Sequence, residues 1–159
     1  MLRPAHTADF DYIFGLYIHP KVNPFLLYET LDETEFRPIF QELLNDQVLY
    51  IFEVENQAVG MAKLIRLKHR CDHIAYLGGV AIDPSRGGNG HGKAMLEAVL
   101  TLAKGMGLLR VELSVATVNQ RAIHIYESVG FEKEGVLRKY THLKSEDRFL
   151  DEVMMSYLL

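Results

Sequence analysis

The chain is short of several things, and each shortage excludes something. A single cysteine, Cys71, among 159 residues leaves no intramolecular disulfide, so a reducing compartment, the cytoplasm, is the simplest expectation. Positive charge is not in excess. The 17 Lys and Arg against 21 Asp and Glu give a net charge of −4, which argues against nucleic acid or an anionic membrane as partner. No apolar run approaches the ~20 residues of a membrane span, and the opening "MLRPAHTADF" carries no apolar signal core. There is no repeat, low-complexity tract or Pro/Gly/Ser linker, so one domain over residues 1–159 is expected. What is left is a composition 48% apolar and 24% charged, that of a globular chain able to bury a core.

Glycine, by contrast, is concentrated. "DPSRGGNGHGKAML", Asp83 to Leu96, places it at 87, 88, 90 and 92 ahead of an apolar stretch with helical spacing. Glycine loses the most backbone entropy on ordering, so its density asks for a reason. A nucleotide P-loop needs a hydroxyl after its lysine to ligate magnesium, and Ala94 has none. A dinucleotide fingerprint fails because Lys93 and Met95 stand where glycine is required. A plain glycine turn remains open. So does a cradle in which bare backbone N–H groups converge on a diphosphate at a helix N-terminus, with Arg86 and Lys93 at its edges.

Periodicity outlines the rest. A helix is expected around Phe10, Ile13, Phe14 and Tyr17 with Thr7 as N-cap. A second helix is announced by Asp32 and Glu35 as a capping box, with Leu31 and Phe36 as its staple. Pro38 should kink it or move its start. Between them "IHPKVNPFLLYET" reads as an aromatic loop able to touch a substrate. "VLYIFEV" and "AVGMAKLIRL", joined by "ENQ", read as a hairpin, "HIAYLGGVAI" as the strand feeding the glycine loop, and "LRVELSV" as an alternating strand. The last strand, "RFLDEVMMSYLL", is apolar on both faces and so central or at an interface, a homodimer being one such. The order of elements gives an α/β (α+β) layer fold. "HRCDH" offers His69, Cys71 and His73 but no fourth ligand, and a hairpin loop without metal is expected.

A second informative stretch is "NQRAIHIYESVGFEKEG", Asn119 to Gly135, with Asn119, Ala122 and Tyr126 near one helical face. Helix cap, packing residue and core aromatic would explain the three equally well. Taken together, however, the two stretches resemble the GNAT superfamily of N-acetyltransferases. "GGVAI", "DP", "GNGHG" and "KAMLEAVL" are similar to its acetyl-CoA motif, and "NQRAIHIYESVGF" to its Asn-x-x-Ala-x-x-x-Tyr-x-x-x-Gly-Phe motif. The tail resembles that of small bacterial amino-acid and phosphinothricin-type enzymes.

The resemblance implies a GNAT fold: a mixed, mostly antiparallel sheet of six to seven strands flanked by about four helices. It implies acetyl-CoA as co-substrate, no metal, and a small-molecule amine as the other substrate. The pantetheine arm would pair with the backbone of Val80 and Ile82. Arg86, Gly87, Gly88, Asn89, Gly90, His91, Gly92 and Lys93 would hold the pyrophosphate. Asn119 and Ala122 would line the arm, and Tyr126 would protonate the leaving sulfur. Relatives usually carry Gln or Arg where Gly87 stands; here the basic residue stands one step earlier, at Arg86, so the side-chain phosphate contact is in question while the backbone contacts survive. Tyr76 occupies the place of a glutamate many of them use. Glu112 is then the candidate base, with His73 behind it, and Tyr28, Tyr76 and Tyr140 are candidate substrate contacts. Deprotonating a lysine amine at pH 7 costs roughly 4–5 kcal/mol and an α-amine about 1. A site without a dedicated carboxylate therefore suits an amino acid. A peptide N-terminal acetyltransferase and a non-catalytic acyl-CoA-binding module are the rival readings.

Overall fold

The computed structural model describes residues 1–159, which run β1 (Leu2–Pro4), α1 (Phe10–Ile18), α2 (Glu33–Asn45), β2 (Leu49–Val54), β3 (Gln57–Arg66), β4 (Ile74–Ile82), α3 (His91–Gly105), β5 (Arg110–Ala116), α4 (Gln120–Val129), β6 (Glu132–Leu143) and β7 (Arg148–Leu158). The strands form one sheet in the order β1-β2-β3-β4-β5-β7-β6. Every neighbouring pair is antiparallel except β4–β5, which is parallel and bridged by α3.

Strand alternation sends side chains to two layers. On one face Leu64, Ala75, Leu77, Val111 and Leu113 pack under α3 and α4, against Leu96, Val99, Ile123 and Tyr126. On the other, Ile51, Met61 and Ala81 pack under α1 and α2, against Phe10, Ile13, Phe36 and Phe40. Phe36, fully buried, anchors the aromatic cluster of the second layer. Such a side chain contributes about 1.5–3 kcal/mol through burial.

The parallel pair positions the site. It is in register only for Ile74–Tyr76 with Arg110–Glu112; beyond these residues β4 and β5 have no ladder between them. A bulge lies just beyond that point. Met61 faces Ala81 and Lys63 faces Gly78, so β4 fits one more residue than β3 into the same span. Gly79 absorbs it at φ +56, a left-handed conformation. Residues 77–82 of β4 are thus laddered to β3 on one side only.

Three local expectations are corrected. Thr7 does not cap α1: it opens a 3-10 turn, Thr7–Asp9, and Asp9 stands at the helix start with its carboxylate held by Arg3 and the His6 amide. Pro38 neither kinks nor delays α2, which runs unbroken from Glu33 to Asn45 with both halves of the predicted capping box formed. The proline sits on the exposed side, so the carbonyl it strands one turn earlier, at exposed Thr34, faces water. The β2–β3 turn is two residues, Glu55 and Asn56, both at positive φ, and Gln57 already belongs to β3. The apolar last strand, β7, is central, paired with β5 and β6, which accounts for its two apolar faces within one chain.

Candidate active site

The loop after β4 is built from the sequence's own local chemistry. Asp83 accepts from the Ser85 amide and hydroxyl at 2.8 and 2.7 Å, fixing a 3-10 turn over Pro84–Arg86. Gly88 and Gly90 then take φ +87 and +76, and α3 begins at His91. The first helical bond is donated by Ala94 to the Gly90 carbonyl, at 3.1 Å. The amides of Gly88 through Lys93 therefore have no backbone acceptor in the chain, and they sit at the positive end of a 15-residue helix. A β-carbon at Gly88 or Gly90 would meet nothing within 4 Å, so these glycines serve backbone conformation and leave the amides uncovered.

A groove of about 500 Å³ runs from this loop between α3 and α4 toward the parted strands. Of the residues assigned to cofactor binding from the sequence, all but Asn89 line it. Arg86 is not free: its guanidinium donates to Gln57 on the β2–β3 hairpin at 2.5 Å. Arg121, which sequence reasoning missed, also lines the groove. Its Nη2 lies 3.7 Å from where a Gly87 β-carbon would stand, so a cation from α4 covers the place of the absent side chain. The only advance signal was an arginine two residues after Asn119. Asn119 caps α4, its Oδ1 accepting from the Ala122 amide at 3.2 Å, which leaves its amide nitrogen for the groove. Tyr126 lines the inner end and packs edge-on to Phe131. Burial pushes its phenol well above the ordinary tyrosine range, helped by the nearby Tyr76, so it is a protonated donor at neutral pH.

Residues 11–131 match the acetyltransferase (GNAT) family. The chain belongs to that family. It is 33% identical over 111 residues to the uncharacterised protein ML0378 of Mycobacterium leprae, covering 69% of this chain and 30% of that protein. To the N-alpha-acetyltransferase RimI of Mycobacterium tuberculosis it is 33% identical over 91 residues, 57% of this chain and 56% of that one. It thus spans under a third and about half the length of these two relatives. The crystal structure of spermidine N-acetyltransferase from Vibrio cholerae in complex with CoA and spermine superposes with a TM-score of 0.87 over 99% of this chain and 94% of that one, at 21% identity. At that identity the likeness is one of fold.

On the face of this GNAT sheet opposite α4, Tyr76 reaches from β4 to β5, its Oη 3.0 Å from Ser114 Oγ. Burial raises its phenol pKa, and the carboxylate of Glu152 and the phenol of Tyr140 stand near enough to add to the shift. Glu152 is half-buried on β7, accepts from Thr141 Oγ1 at 2.5 Å and has no cation partner; no local pattern marks it in the sequence. Glu112 is elsewhere engaged: Arg110 donates to it at 2.9 Å and to both oxygens of Glu134 at 2.7 Å. It does not line the groove. His73 precedes β4 at the end remote from the glycine loop, its carbonyl accepting from Leu109. Tyr28 lies in the loop after α1, 5.8 Å from Tyr17 between ring centroids. The segment His69–Cys71 is a 3-10 turn, and no three His, Cys, Asp or Glu side chains are placed to hold a metal ion. No helix is long and apolar enough to cross a membrane.

Proposed function

We propose that this GNAT chain transfers an acetyl group from acetyl-CoA to the primary amine of a small molecule, an amino acid or amino-acid-like compound, by direct attack in a ternary complex in the cytoplasm. The observation that carries it is the continuity of one groove from six uncovered amides to Tyr126, beside a β4 edge with no strand against it. The residues fit the cofactor: glycines at positive φ bare the amides for a diphosphate, and a one-sided strand edge accepts an extended arm as an added strand.

Acetyl-CoA supplies an activated acetyl thioester and a thiol leaving group; the chain supplies the rest. Gly88 through Lys93 bind the diphosphate through their amides, with Arg121 and Lys93 adding charge. Val80 and Ile82 pair with the arm, and Asn119 and Ala122 flank it. A free N–H on the β4 edge donates to the carbonyl oxygen as charge builds there. Tyr126 holds its proton until the sulfur departs and gives it up from Oη. With Glu112 bound to Arg110, the carboxylate whose charge is felt at Tyr76 is Glu152, and it takes the amine proton through water. Tyr28, Tyr76 and Tyr140 border the acceptor. A CoA-release assay over amino acids, polyamines, aminoglycosides and peptides tests the proposal. CoA release with amino acids is expected. Release with a peptide N-terminus alone would move the chain to the peptide reading, and acetyl-CoA binding without release to the acyl-CoA-binding one.

A further inference from the structure

Three polar side chains lie in the interior: Asp9, Lys63 and Ser156. Asp9 is answered by Arg3 at 2.8 Å and Ser156 donates to Glu134 at 2.6 Å. Lys63, only 5% exposed, is answered by nothing. No hydrogen bond or ion pair reaches its ammonium, which lies 5.6 Å from the centre of the Tyr28 ring and keeps a small contact with solvent. Burial alone lowers its pKa, with no carboxylate to oppose the shift. Glu42 makes itself felt at Tyr28 but does not pair with Lys63.

The position of this cation is informative. Lys63 projects from β3 to the same face as Tyr76, opposite α4. Its stem runs over the bulge, Cε 2.9 Å from where a Gly79 β-carbon would be and 3.9 Å from that of Gly78. A side chain at Gly79 would collide with it, so the bulge and the lysine fit one another. Its tip lies below the loop that carries Tyr28. That loop is tied across the sheet to the β6–β7 turn, Glu29 accepting from the amides of Lys144 and Ser145 at 2.7 and 3.4 Å and from the Ser145 hydroxyl at 3.1 Å. The ammonium therefore stands on the α1–α2 face of the sheet, between the β3–β4 bulge and the loop that carries Tyr28.

We infer that Lys63 is the anchor for a carboxylate on the acceptor, which makes the acceptor an α-amino acid or a close analogue and not a polyamine. This rests on the transferase reading above. A largely desolvated cation without a counter-ion is unfavourable to the free protein, and an anionic acceptor reaching its solvent-touching tip supplies what the chain omits. A second cation brought to the same place meets repulsion instead.

The test compares matched acceptors that differ only by the carboxylate: L-leucine with 3-methylbutylamine, L-phenylalanine with 2-phenylethylamine, and spermidine alongside. In the native protein kcat/KM is expected to favour the amino acid of each pair. Lys63→Met should cut that preference about 10- to 100-fold, the range of a charge-assisted hydrogen bond, through KM with kcat little changed. Lys63→Arg should restore part of it. Using the ratio within each pair cancels intrinsic amine reactivity. A native preference for the decarboxylated amines or spermidine overturns the inference while leaving the transferase intact. So does an unchanged preference in a Lys63→Met protein that still binds acetyl-CoA. Absence of CoA release with every amine, despite acetyl-CoA binding, overturns the transferase reading itself.

Discussion

Two tyrosines with similarly raised phenol pKa values serve opposite ends, and their partners tell them apart. Tyr126 opens onto the groove, and desolvation keeps its proton in place for donation. Tyr126→Phe removes the donor and keeps the ring, so kcat for CoA release should fall about 10²–10⁴-fold, while calorimetry gives an acetyl-CoA affinity within threefold of native. An equal loss of affinity would make Tyr126 a binding residue only. Tyr17, 3% exposed under α2, has a buried hydroxyl with no hydrogen-bond partner. A buried donor left unpaired costs about 1–3 kcal/mol, so Tyr17→Phe should raise the urea midpoint where most core changes lower it. The pH dependence has a definite sign. Burial raises the phenols of Tyr12, Tyr17 and Tyr126 in the folded state, so above pH ~10 the unfolded chain ionises first and binds fewer protons than the native one. Stability should hold below that pH and decline above it, with Tyr17→Phe flattening the decline.

The glycine loop makes one substitution predict opposite signs within a single element. Gly90 ends the loop at φ +76, where a β-carbon costs about 1–2 kcal/mol; Gly105 closes the same helix at ordinary φ with open space around it. Gly90→Ala should lower the melting temperature and weaken acetyl-CoA at least tenfold. Gly105→Ala should raise the melting temperature by cutting the unfolded chain's freedom and leave binding alone. Elements of this kind were legible in the sequence because their signals are local. The capping box at Asp32, the strand–turn–helix around Asp83 and the Asn119 cap each depend on residues within four positions. What escaped reading depends on pairing between distant strands. Lys63 becomes a buried cation only because β3 pairs with β4 across a bulge, and Glu152 approaches Tyr76 only because β7 inserts between β5 and β6. Arg121 faces Gly87 only once α4 is folded back beside α3. Neither Thr7 nor Pro38 could be placed from propensity alone, since an ion pair and solvent exposure respectively decided them.

Across the whole molecule, one core lies under α3 and α4 on both β4 and β5, the other under α1 and α2 reaches only as far as Ala81 of β4, and β4 and β5 share a ladder of only three residues on each. The two halves of the sheet are therefore joined by a short ladder where the proposed ligand would lie. A ligand that enters as an added strand should bind the halves to one another, an effect distinct from occupying the loop. At a hundred times its dissociation constant any native-state ligand adds about 2.7 kcal/mol, so a higher melting temperature alone does not locate it. Hydrogen exchange does. Acetyl-CoA should slow exchange both at Gly88–Lys93 and along residues 77–82 of β4, whereas ADP, which carries a diphosphate but no arm, should protect the first set and leave the second unchanged. Equal protection of β4 by ADP would show that its edge responds to the loop and takes no part in holding the arm. Protection of β4 by acetyl-CoA alone would seat the arm along the β4 edge, with Tyr126 on one face of the sheet and Tyr76 and Lys63 on the other, the arrangement on which both the proposed transferase and its acceptor preference depend.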